Sequence, residues 1–79
     1  MVTIENFIKE EINELSLKVI MDSIRSGENS LKEKDEIVFN RYSLEIDFSE
    51  KKVLIYDDVF SEDEPLELML NDFIASIPA

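Results

Sequence analysis

The spacing of apolar residues changes along the chain, and this change limits the possible folds more than any other feature. In the first third, apolar residues recur at steps of three and four: Ile4, Phe7, Ile8, Ile12, Leu15 and Val19. That spacing places side chains on one face of an α-helix. In the middle, Tyr42, Leu44, Ile46 and Phe48 alternate with polar residues, which predicts a half-buried β-strand.

The first third predicts one long helix. Thr3 is suited to cap its start, and Gly27, the only glycine, is expected to end it. Arg25 lies where a cation favours the negative end of the helix dipole. The second half of this helix also carries Leu17, Ile20, Met21 and Ile24. This stripe is wider than one sheet face requires, which indicates that the helix is covered on two sides.

The middle of the chain predicts an antiparallel strand pair. Residues 28–36 are mostly polar and indicate a solvated connector or a short helical turn. The first strand either begins near Ile37 or contains a bulge near Asn40. Residues 49–52 form a plausible hairpin loop into a second strand over residues 53–56.

The last segment permits two structures. Leu66, Leu68 and Leu70 alternate with Glu67 and Met69, which favours a third strand. A short helix capped by Asn71 would follow and run through Ile77. The alternative is one helix over residues 65–77, because proline suits a first helical turn.

Together these elements predict an α+β fold in a single domain over residues 1–79. A three-stranded antiparallel sheet would pack against one long N-terminal helix, with a short C-terminal helix. Because the N-terminus lacks a basic segment followed by an apolar run, we expect a cytoplasmic protein. No apolar run approaches the roughly 20 residues needed to cross a bilayer, so no membrane contact is expected.

The available side chains exclude most chemistry. The chain has no histidine and no cysteine, which removes the usual general base, the thiol nucleophile and the common zinc ligands. One glycine leaves no phosphate-cradling loop. We therefore expect no enzymatic activity, no catalytic residue, no metal and no cofactor.

Negative charge is concentrated towards the C-terminus. Residues 53–79 contain seven carboxylates and no lysine or arginine, whereas residues 1–52 contain 12 acids and 8 bases. Seven of the 11 net negative charges therefore lie in the last third. A concentrated field of one sign attracts a basic protein partner. The same charge disfavours direct binding of nucleic acid, whose phosphates select lysine and arginine.

The candidate partner-binding residues begin at the end of the predicted strand over residues 53–56 and continue into the acidic segment after it: Tyr56, Asp57, Asp58, Phe60, Glu62, Asp63 and Glu64. The five acids would supply carboxylates, and Tyr56 or Phe60 a packed anchor. The alternative is a solvated acidic loop that aids solubility. A calcium site lacks its usual alternating ligand pattern, and a catalytic carboxylate pair lacks room for a cleft.

The aromatic residues have alternatives of their own. Tyr42 shares the phase of Leu44 and Ile46, so it is expected in the core. Tyr56 is suited equally to core and interface. Phe60 is either an interface anchor or a loop residue tucked under the sheet.

The segments 42–48 and 53–58, with the acidic residues that follow, resemble small acidic immunity proteins of bacterial toxin systems, including contact-dependent growth inhibition. The resemblance extends over about residues 37–77, and rests on size, charge and element order. It implies a cytoplasmic inhibitor that blocks a cognate toxin. If that toxin is a nuclease, the acidic loop would cover its phosphate-binding surface. Alternatives are a phage-encoded inhibitor that mimics nucleic acid, such as an anti-restriction or anti-CRISPR protein, and a non-enzymatic homo-oligomeric adaptor.

Overall fold

The computed structural model describes residues 2–77 and has three helices and four strands in this part of the chain. Their bounds are α1 Ile4–Glu11, α2 Glu14–Glu28, β1 Lys34–Val38, β2 Tyr42–Asp47, β3 Lys52–Asp57, β4 Leu66–Met69 and α3 Leu70–Ser76. The α+β class is confirmed. The predicted three-stranded sheet and single N-terminal helix are wrong, because the sheet has a fourth strand and the helix is divided.

The strands form one antiparallel meander in the order β1-β2-β3-β4. The register places Ile37, Leu44, Ile55 and Leu66 in one row across the sheet. This row and its neighbours on the same face pack with apolar side chains from all three helices. The protein therefore has two layers, and the opposite face of the sheet carries no helix from the described part of the chain.

Phe7 of α1 lies at the centre of the core and is fully buried. Its ring centroid is 5.6 Å from that of Phe39, 5.9 Å from Tyr42 and 6.2 Å from Phe73. These separations are those of favourable tilted and edge-to-face aromatic pairs. The cluster joins α1 to the sheet and to α3, and it confirms that Tyr42 is a core residue.

Thr3 caps α1 as predicted, by accepting a hydrogen bond from the Asn6 amide. The helix then ends, because Ile12 is extended and Asn13 starts a second helix with a reciprocal capping box to Ser16. The break changes the direction in which the apolar face of the second helix points relative to that of α1. Leu15 and Val19 are consequently 73% and 44% exposed, although the continuous apolar spacing had placed them on the buried face.

The predicted end of the helix at Gly27 is also wrong. Gly27 lies inside the last turn of α2, which runs to Glu28 and is capped by Asn29. A Cβ atom on Gly27 would overlap the ring of Phe48. The close approach of the ring, rather than a left-handed backbone, favours glycine here.

Residues 28–36 were expected to form a connector or a helical turn, but Lys34–Val38 is an edge strand. Near Asn40, where a bulge was the alternative, the chain forms a turn. A hydrogen bond from the Phe39 amide to the Tyr42 carbonyl (2.9 Å) closes it. The short second turn between β2 and β3 is stabilised by Asp47, whose carboxylate accepts the amides of Ser49 and Glu50 at 3.1 and 3.0 Å.

The strand over residues 66–70 is confirmed in preference to a single helix, although it ends at Met69. The expected cap at Asn71 is wrong, because α3 begins at Leu70 and Met69 occupies the cap position without a side-chain hydrogen bond. Tertiary contacts start this helix instead. Leu70 is buried, and its amide donates to the Lys51 carbonyl at 2.9 Å.

Gly27→Ala tests the contact with Phe48. Alanine normally stabilises a helix relative to glycine, but here we expect the free energy of unfolding to fall by about 1–3 kcal/mol, because the added methyl group overpacks the site. Thermal and denaturant unfolding measure the change. Ser26→Ala, at the exposed neighbouring position, is the control and should leave stability equal or slightly higher. A Gly27→Ala variant with a free energy of unfolding equal to or above that of the parent would contradict this packing.

Candidate partner-binding surface

Asp57 ends β3 and is the innermost of the five acids predicted to bind a partner. Its side chain is only 3% exposed and lies 3.0 Å from the Arg41 guanidinium. It also accepts the backbone amides of Val59 and Phe60 at 2.9 and 3.0 Å. The Arg41 guanidinium and these two amides hold the pKa of Asp57 below its ordinary value. Asp57 therefore shapes the loop that follows and does not itself present a free carboxylate.

Arg41 is held from the helical layer as well. Its guanidinium pairs with Glu10 at 3.2 Å. The buried carboxylate of Glu11 accepts the backbone amides of Arg41 and Tyr42 at 3.1 and 3.2 Å. The Arg41 carbonyl in turn accepts the amide of Asp58 at 2.8 Å. Both the side chain and the backbone of Arg41 are thus fixed next to the start of the acidic loop.

The acidic loop, residues 58–64, carries apolar side chains at its start. Val59 is 62% exposed and Phe60 is 50% exposed. One side of the Phe60 ring lies 5.4 Å from the Arg41 guanidinium carbon, within the range of a cation–π contact. Phe60 is therefore supported from within and open to solvent, and is not tucked under the sheet.

The acids of this loop differ in their surroundings. Asp58, Glu62 and Glu64 are exposed, and Asp63 is half-buried. Within residues 2–77, none of Asp58, Glu62 and Glu64 takes part in an ion pair. These three charges are therefore not neutralised by the cations of the described chain, in contrast to Asp57.

Tyr56 lies on the sheet face opposite the helices and is half-buried. Its hydroxyl donates a hydrogen bond to Glu45 at 2.9 Å. This bond to a carboxylate, together with burial, raises the pKa of Tyr56. The hydroxyl stays protonated at neutral pH, so the ring is a neutral, fixed platform.

A shallow depression of about 370 Å³ connects Tyr56 to the acidic loop. It is lined by Glu36, Ser43, Glu45, Tyr56, Asp57, Asp58, Ser61 and Asp63. Among residues 2–77, no lysine or arginine lines it. The depression thus brings together Tyr56, Asp57, Asp58 and Asp63 from the predicted set, whereas Phe60, Glu62 and Glu64 do not line it.

The residues missed by sequence reasoning come mainly from β1 and β2. Glu36 and Glu45 lie opposite each other on neighbouring strands and add carboxylates to the same depression. The sequence pattern did not identify Glu36, because residues 28–36 are predicted to form a connector or a helical turn and not a strand. The period-two pattern of β2 does place Glu45 on the polar face, and this signal could have identified it.

Other features of the described chain bear on the possible site types. Among residues 2–77, no group of three or more acidic, histidine or cysteine residues is placed to hold a metal ion. In the same part of the chain, no helix is long and apolar enough to cross a membrane.

No protein-family model matches the chain, and neither curated proteins nor solved structures show a significant similarity to it.

Asp57→Asn tests the network around Arg41. The ionised carboxylate stabilises the fold fully above the ordinary aspartate pKa of about 3.9, and this stabilisation is lost as the pH falls through the lower pKa of the folded protein. We expect the melting temperature of the variant to lie below that of the parent protein at neutral pH. This difference in melting temperature should narrow below about pH 4. Thermal unfolding followed by circular dichroism over this range measures the difference.

Asp22→Asn, at an exposed position of α2, is the matched control, since it removes the same charge without removing these contacts. A melting-temperature difference that stays constant at all pH values for Asp57→Asn, or an equal difference for Asp22→Asn, would contradict the stabilising role of the Asp57 carboxylate.

Proposed function

We propose that this chain is a non-enzymatic, cytoplasmic protein-binding inhibitor of the immunity-protein type, which neutralises a cognate basic toxin of the nuclease class. The acidic loop and Tyr56 are its partner-binding residues. The observation that carries the proposal is the group of exposed carboxylates at Asp58, Glu62 and Glu64, which form no ion pair within residues 2–77 and extend from a firmly held loop base.

The loop combines charge with apolar area, as binding surfaces commonly do. Val59 and Phe60 are exposed beside the carboxylates. Aromatic side chains that fill a partner pocket commonly contribute much of the binding energy, and surrounding polar groups exclude water from them. One side of the Phe60 ring contacts Arg41, and its exposed side, together with Val59, offers apolar area to a partner.

The base of the loop reduces the entropy that binding would otherwise cost. Asp57 fixes the first loop amides, and Arg41 contacts both Asp57 and the Phe60 ring. A loop already held in one conformation loses less freedom when it meets a partner. In this proposal Asp57 is a positioning residue, while Asp58, Glu62, Asp63 and Glu64 supply the carboxylates.

The inhibitory mechanism follows from the chemistry of the partner. A nuclease presents lysine and arginine where the phosphates of its substrate lie. Carboxylates form strong, short hydrogen bonds with these cations. A loop that occupies this surface blocks nucleic acid by exclusion and needs no chemical step of its own.

The test begins with affinity capture from the native host, followed by purification of the captured protein. We expect a basic toxin whose activity the chain inhibits at equimolar amounts. A loop-neutral variant combines Asp58→Asn, Glu62→Gln, Asp63→Asn and Glu64→Gln. Its association rate should fall about tenfold or more at low salt, and the salt dependence should weaken, because steering depends on these charges.

A helix-neutral variant is the control, because it removes four exposed charges from the helical layer. It combines Glu5→Gln, Glu14→Gln, Asp22→Asn and Glu28→Gln. It should keep most of the association rate. Equal rates for the loop-neutral variant and the parent would exclude the acidic loop as the binding site. Capture of a restriction or CRISPR effector would replace the immunity role with nucleic-acid mimicry.

A further inference from the structure

The sheet face opposite the helices, here named the open face, receives side chains from all four strands. It includes Glu36 and Val38 of β1, Glu45 of β2, Leu54 and Tyr56 of β3, and Met69 of β4. Val38 is 68% exposed and Met69 is 56% exposed. Val38 and Met69 lie at opposite corners of this face and form no continuous apolar patch, so charge rather than apolar area distinguishes the open face.

Charge on the open face is divided between its two ends. Lys34 and Lys52 lie at the end next to the β2–β3 turn, where they pair with Glu45 and Glu67 at 3.5 and 3.2 Å. The other end contains Tyr56 and the acidic depression, which no lysine or arginine of residues 2–77 lines. Charge would therefore orient a bound segment with its cations directed to the Tyr56 end.

One pair of residues on this face is expected to reduce stability. Glu36 and Glu45 lie directly opposite each other on adjacent strands, and like charges in this arrangement are unfavourable. Lys34 relieves Glu45 only partly, because it is exposed and 3.5 Å away. A stability cost retained on an uncovered face is typical of a functional position, where a cation from a partner would remove the repulsion.

We propose that the open face is a docking surface for a basic segment of the partner protein, with an arginine guanidinium seated on Tyr56 between Glu36 and Glu45. The inference rests on the proposed function in one respect, the basic character of the partner. It goes beyond that function by placing part of the interface on the sheet and by naming the chemical group that is recognised.

Geometry favours arginine over lysine. A planar guanidinium can stack on the Tyr56 ring while its edge donates to Glu45 and Glu36, which lie on the two successive strands towards β1. The Tyr56 hydroxyl is occupied by Glu45, so the ring is held in place for stacking. A lysine ammonium carries the same charge, but it can neither stack on the ring nor form a bidentate hydrogen bond with a carboxylate.

The experiment uses the full chain and two end-blocked peptides of equal length, alternating arginine with serine or lysine with serine. Amide NMR titration should show shifts concentrated at Glu36, Ser43, Glu45, Tyr56 and Asp58. The arginine peptide should bind about fivefold more tightly than the lysine peptide. Glu36→Gln and Tyr56→Leu should each weaken arginine binding about threefold or more.

Glu36→Gln also separates binding from stability. Because the substitution removes the repulsion with Glu45, its melting temperature should be equal to or above that of the parent while arginine binding falls. Glu5→Gln, on the helical layer, should change neither arginine binding nor the position of the shifts.

The failures of the two proposals are distinguishable. Shifts confined to residues 58–64, with no effect of Glu36→Gln or Tyr56→Leu, would overturn the open-face inference and leave the proposed function standing. Equal affinity for both peptides, or no binding of either, would overturn it as well. The proposed function is tested separately, by the captured toxin and the loop-neutral variant.

Discussion

The ion pair between Arg41 and Asp57 is the interaction on which the rest of the surface depends. Arg41 lies in the β1–β2 turn and Asp57 at the end of β3, so their 3.0 Å contact joins neighbouring strands where the sheet ends. Glu10 and Glu11 connect the same residue to α1. The acidic loop therefore leaves the sheet from a fixed point, although it has little regular structure of its own.

This arrangement also divides the acids into two groups. Carboxylates that accept backbone amides, such as Asp47, Asp57 and Glu11, hold turns and strand ends together. Carboxylates at Asp58, Glu62 and Glu64 have no such partner within residues 2–77 and face solvent. The loop thus contributes three negative charges that no ion pair within residues 2–77 offsets.

Local patterns predicted the elements that local interactions determine. The alternation in β2 and the polar turn after it placed the central hairpin correctly, and Thr3 was identified from its position before an apolar helix. The strand at Leu66–Met69 followed from alternation too. In each case the side chains in the pattern are those that contact the core or the cap, so sequence and structure carry the same information.

The remaining features depend on contacts between residues far apart in sequence. The break at Asn13 was masked because apolar spacing continues through it, and only the capping box with Ser16 shows the interruption. The small size of Gly27 matches the close approach of the Phe48 ring, which comes from the other layer. The pairing of Asp57 with Arg41 spans 16 residues, and no local pattern indicates it. The five acids of residues 57–64 consequently had the same predicted role, although Asp57 is structural.

Hydrogen–deuterium exchange of the chain alone and bound to its captured partner locates the interface without assuming which residues form it. We expect slower exchange on binding in residues 36–45 and 54–64, with α2 unchanged. Protection centred on α2, around Leu15 and Val19, with residues 54–64 unaffected, would contradict it.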